Sequence, residues 1–125
     1  MTPNARPFRP HEMSTVFART EHALAAQGWV PASPGIERAG QPVLCAGAML
    51  VREAMALRGS PAAAAEFERK VVQRDRAFIC EAARDVGLDV DVVRQRIAAN
   101  DRVDGDVRLG AMIDQLRELR APLAR

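Results

Sequence analysis

A chain of 125 residues, 48% of them hydrophobic, has the length of one domain and can bury a core without metal or disulfide staples. Only 4% of the residues are aromatic and none is tyrosine, so the core must be aliphatic, and an alanine-rich composition of this kind favours helix over sheet. The net charge of +2 is too small to mark a nucleic-acid or acidic-membrane surface, and no apolar run reaches the length of a membrane span.

Residues 1–10 hold three prolines and no periodicity, which predicts a flexible N-terminal arm ahead of a single helical domain over 11–125. The arm carries two arginines and no following apolar run, so no secretion signal is expected. A reducing cytoplasm follows, with Cys45 and Cys80 as thiols. From His11 the spacing becomes helical: Met13, Val16, Phe17, Thr20 and Leu24 recur at three- and four-residue steps, and Gly28 is the stop. Trp29, just past that stop, is placed to fold back onto the last turn as a core anchor. Residues 31–42 are dense in Pro and Gly and read as a long loop.

A second helix is expected from Pro42 to Arg58, apolar nearly all round and therefore central, with Gly59 behind it. Ser60-Pro61 signals the start of a third, Ser as N-cap and Pro at the first helical position. That helix can run to Gly87, presenting Phe67, Val71, Phe78, Ala82 and Val86 on one face, with a break possible between Val72 and Arg76. Leu88 to Val92 alternates like a strand but has no partner segment, so a fourth helix is preferred there, capped by Asp89 or Asp91 and carrying Val93 and Ile97. A turn over 101–106 then leads to a fifth, from about Asp106 to Arg120. The expected fold is all-α, a compact single-domain bundle of about five helices.

Chemistry-bearing residues are few. Cys45 falls in the first turn of the expected second helix, where the dipole and free N–H groups favour a thiolate, and His11 or His22 would have to serve as its base. A lone cysteine among Val, Leu, Ala and Met is more often a small core hydrophobe, and Cys45 is expected to be buried and unreactive. The two histidines lie three helical turns apart, too far to share an ion, and no paired-cysteine spacing exists. The turn at 101–106 fails as a calcium loop, with Arg102 in a ligand position and Ala111 where a bidentate Glu is needed. No cofactor and no metal are expected.

Residues 80–97 carry a helix-turn-helix spacing: Ala83, Gly87, Leu88 and Val93 occupy the small, turn and apolar positions, and Arg94 and Arg96 could then face DNA. Asp89 and Asp91 stand at the start of the would-be recognition helix, where phosphates would be repelled. Seventeen arginines against one lysine could suggest phosphate recognition, but a G- and C-rich coding sequence, which also explains the Ala and Val bias, is the preferred reading.

Gly28-Trp29, then CAGAMLVREA at 45–54, then Asn100-Asp101-Arg102 ahead of an amphipathic segment ending DQLRELRA form a succession of short motifs. In these the chain resembles a family of small helical bacterial proteins of unknown function, frequent in actinobacteria. The resemblance spans most of residues 15–121 and departs from the family pattern at Ala99, where Trp is usual. It implies a helical fold and brings no activity with it. The candidate binding set is Trp29, Cys45, Asn100, Asp101 and Arg102, which would line a pocket at the start of the central helix. For Asn100 and Asp101 a turn-capping role is the simpler reading.

These features point to a small helical binding or regulatory module acting through protein contacts, with another protein or a second copy of itself as partner. The alternatives are a DNA-binding regulator using 80–97 and a cysteine-dependent enzyme centred on Cys45. Neither nucleic acid nor membrane is the expected partner.

Overall fold

The structure, a computed structural model, describes residues 6–27 and 35–95 together with helical positions 114, 117 and 118. The fold is all-α and compact, as the composition predicts. The helices are α1 (Pro10–Gln27), α2 (Ala46–Leu57), α3 (Pro61–Val71) and α4 (Arg76–Val86), followed by a further helical run over 90–95. A hairpin of two short strands, β1 (Gly35–Arg38) and β2 (Gln41–Leu44), precedes α2.

The first helix begins at Pro10, whose missing N–H would have been unsatisfied at that position anyway. The Arg9 carbonyl accepts the first helical bond, from Met13 N–H, and the Glu12 carboxylate reaches back to accept from Arg9 N–H at 3.0 Å. This is half of a capping box, a side chain at the third helical position serving the cap residue's N–H. Val16, Phe17, Thr20, Ala23 and Leu24 form the buried stripe, with Met13 packed at its edge. Thr20 is buried at no cost in hydrogen bonding because its hydroxyl donates to the Val16 carbonyl at 2.7 Å.

The hairpin departs from the expected loop and moves the start of α2 from Pro42 to Ala46. Its two turn residues, Ala39 and Gly40, have φ of 53° and 78°. Two consecutive positive φ values make the type I′ turn whose twist matches a hairpin. Arg38 pairs with Gln41 across it and Glu37 with Pro42. Alternation of the ladder puts the Glu37–Pro42 pair where no N–H is needed, so proline is tolerated within the strand. Pro42 therefore belongs to β2 and does not open a helix.

Cys45, expected inside the first turn of α2, is instead its N-cap, its Sγ accepting from Ala48 N–H at 3.4 Å. Every residue from Leu44 to Arg52 is buried. Helix α2 packs against α1, α3 and α4 and is the axis of the fold. Arg58 and Gly59, the latter at φ 87°, turn the chain out of it.

Ser60 and Pro61 open α3 as their order predicts, the serine Oγ accepting from Ala63 N–H. The long third helix breaks within the expected stretch: residues 72–74 form a turn, and Asp75 caps α4 by accepting from Phe78 N–H at 3.2 Å. At the far end Gly87 adopts φ 92°, and Leu88 N–H returns to the Ala83 carbonyl, a Schellman closure with Leu88 folded into the core. Asp89 then caps the 90–95 run, its side chain accepting from Asp91 N–H and its carbonyl from Val93 N–H. The expected fifth helix lies largely outside the described residues. Positions 114, 117 and 118 are helical, and Arg117 pairs with Glu21 of α1 at 2.8 Å.

The segment expected as a loose arm has no regular structure over residues 6–9, yet it is tied down. Arg6 binds Glu12 through both guanidinium nitrogens, and Arg58 donates to the Arg6 carbonyl at 2.8 Å. The Arg58 guanidinium also lies 3.9 Å from the centre of the Phe8 ring, and Phe8 N–H meets the Gly87 carbonyl.

Candidate functional site

The cysteine and the histidines are not equivalent in setting. Cys45 is 3% exposed within the aliphatic core, while His11 and His22 are exposed on α1. A thiol in that position acts as a helix cap and a small apolar filler, and it is shielded from both solvent and an exposed base. Cys80 is half-buried on α4, and neither cysteine is in a disulfide. Among the described residues no group of His, Cys, Asp or Glu is arranged to hold a metal. No helix of the described residues is long and apolar enough to cross a membrane. Trp29, Asn100, Asp101, Arg102 and Arg96 lie outside the described residues.

The helix-turn-helix spacing is realised in part. Helix α4, the left-handed turn at Gly87 and the 90–95 run follow one another, with Ala83, Leu88 and Val93 buried between them. The exposed positions opening that run are Asp89 and Asp91, and Arg94 faces Asp91 at 3.7 Å. The described surface of the would-be recognition element is thus acidic at its leading end.

Among the described residues, two of the concavities border the helices. Between α1 and α2 a space of about 450 Å³ is lined by Arg19, His22, Gln27, Arg52 and Glu53. Its charges are already matched. Arg52, only 7% exposed, donates to Glu53, Gln27 and Glu68, and Arg19 donates to the other oxygen of Glu53 at 3.3 Å. This network ties α1, α2 and α3 together through one buried guanidinium, a structural use of arginine's fixed fork.

The second concavity, about 420 Å³, is an open groove between α3 and α4 that reaches the end of α2. Its floor is apolar: Met55, Phe67, Phe78, Ala82 and Val86. Phe67 and Phe78 stack with ring centres 5.6 Å apart and planes within 10°. The volume falls in the range of about 300–1,000 Å³ that takes ligands or a few partner side chains. On the α3 lip Lys70 pairs with Glu66 at 2.9 Å and holds its carboxyl below the usual carboxylate range. On the α4 lip Glu81 and Asp85 are exposed, and neither bonds to another described residue. At one end stands Arg58, engaged with Phe8 and Arg6. Burial, and then the nearby Arg6 charge, lower the Arg58 pKa from its ordinary value, and its Nε is buried without a hydrogen-bond partner.

The sequence already placed Phe67, Phe78, Ala82 and Val86 on one apolar face. What it did not disclose is that the break at 72–75 folds this single stripe into two facing walls. The two free carboxylates of α4, one helical turn apart, were the available signal for a charged lip.

Comparison with family models, curated proteins and solved structures finds no match to this chain.

Proposed function

We propose that this protein is a small helical binding module that acts through protein contacts, with the α3–α4 groove as its contact surface. The observation that carries this reading is the groove itself: Met55, Phe78 and Val86 stay half-buried on its floor, with Phe78 stacked on the buried Phe67, between charged lips. Apolar floors with polar rims are the usual anatomy of protein interfaces, and aromatic anchors near their centre supply most of the binding energy. The resemblance to small helical bacterial proteins agrees with a compact scaffold of this kind and adds no chemistry.

A photo-crosslinking amino acid at Ala63, on the groove lip, tests the proposal in cells. The control position is Ala65, exposed on the opposite side of α3. A discrete protein adduct from position 63 and none from 65 is the expected result; an adduct with a second copy of this chain makes the module a homodimer. Equal adducts from both positions, or none from either, overturn the proposal.

DNA binding through 80–97 is the second reading, favoured by the buried Ala83–Leu88–Val93 arrangement around Gly87. Its weakness is electrostatic, because Asp89 and Asp91 would meet phosphates first. Salt-sensitive duplex binding that disappears on replacing Arg94 and Arg96 with Ala would promote it.

A further inference from the structure

Resting on the groove as a protein-contact surface, we infer that its occupant is an amphipathic helix of a partner protein carrying basic residues one turn apart beside its apolar anchors. Three observations lead there. The groove is walled by two helices and floored by apolar side chains, the geometry into which a third helix lays an apolar stripe at i, i+4 and i+7. The α3 lip is electrically closed, since Lys70 and Glu66 neutralise one another at 2.9 Å. The α4 lip is open, since neither Glu81 nor Asp85 makes an ion pair with a described residue, while Glu66 across the groove does.

The acidic lip works against the free protein. Like charges four residues apart repel along a helix, and carboxylates near a helix C-terminus oppose its dipole. Asp85 is the penultimate residue of α4, and Glu81 lies one turn before it. Arg84 in the last turn offsets part of this without pairing with either carboxylate, and a partner's cations would pair with both. Four residues of helix advance about 6 Å, so lysines or arginines at i and i+4 of a helix lying along α4 match the two carboxylates in register. A second copy offers a poorer match, because Lys70 on the lip is already paired with Glu66 and Arg74 lies over the Phe78 ring.

The test uses a designed amphipathic helical peptide with leucines at i, i+4 and i+7, made in three forms that differ only at two flanking positions: lysine, glutamine or glutamate. Binding to the full chain is read by fluorescence anisotropy, against E81K/D85K and against A63W, which fills the groove mouth from an exposed site. Circular dichroism checks that both variants fold. The lysine peptide should bind about tenfold tighter than the glutamate peptide, and added salt should narrow the gap. E81K/D85K should reverse the order, and A63W should abolish binding of all three. Equal affinity for the three peptides, with binding still lost in A63W, overturns the inference and leaves the groove as a protein-contact surface. No binding, or binding indifferent to A63W, overturns both. Self-association in sedimentation that A63W removes makes a second copy the occupant and overturns the inference.

Discussion

Glu12 concentrates three interactions in one half-buried carboxylate. It accepts from both Arg6 nitrogens and from the Arg9 N–H, and these bonds, that of Arg6 first, hold its pKa at about 2 against an ordinary 4.5. A folded-state pKa below the unfolded value means the carboxylate stabilises the fold in full above pH 4.5 and ceases to as pH falls through 2. Glu12→Gln should therefore be less stable than the parent at neutral pH, with the gap shrinking between pH 4.5 and 2; urea midpoints of both proteins across that window check this. Arg52 is the other residue with leverage. Arg52→Ala leaves Glu53 and Glu68 without their shared cation. Their side chains keep 14% and 26% exposure, so the expected loss is about 2 kcal/mol, below the range for a fully buried pair. Arg52→Met retains the stem's packing and should recover part of it. Denaturation of the two variants side by side separates charge from packing.

At the scale of elements, the capping signals were legible and the hairpin was not. Ser60-Pro61, Gly87 and Asp89 each act as their chemistry predicts, because a cap is a local event between neighbours in sequence. The apolar stripe of α1 was legible for the same reason. The hairpin escaped because its turn is Ala39-Gly40, where Asn-Gly would have announced it, and because Pro42 suits a helix start as well as a strand position without a ladder bond. Residues 35–41 looked like loop, and Pro42 to Leu44 like the start of a helix, because pairing is a property of two segments at once. Ala39 with φ 53° carries a β-carbon into the left-handed region, where alanine is disfavoured and asparagine tolerated. Ala39→Asn should accordingly stabilise the protein by about 0.5–1 kcal/mol, and a rise of a few degrees in melting temperature is the measurement that shows it. The groove was half legible: its apolar residues were identified as one face, and only the turn at 72–75 decides that the face closes on itself. Of the candidate binding set only Cys45 lies among the described residues, and its place as a buried cap agrees with the inert thiol expected there.

At the scale of the molecule, one buried helix organises the rest. Helix α2 is in contact with α1, α3 and α4, and its side chains Met49, Leu50 and Val51 are almost wholly removed from solvent. Among the described residues an apolar groove lies between α3 and α4. The N-terminal arm closes this arrangement across long sequence distance. Phe8 meets the carbonyl of Gly87, and the Arg6 carbonyl takes its bond from Arg58, 52 positions away. During synthesis Phe8 must therefore wait for Gly87 at the end of α4 before it can dock. A contact of such span carries a large loop-closure cost and is expected to form after the barrier to folding. Phe8→Ala removes the ring packed against the Arg58 guanidinium and should leave the refolding rate nearly unchanged while speeding unfolding, so that only one arm of a chevron plot moves. The arm would then act as a latch on the lifetime of the native state: it does little to guide the chain into its fold and much to delay its exit.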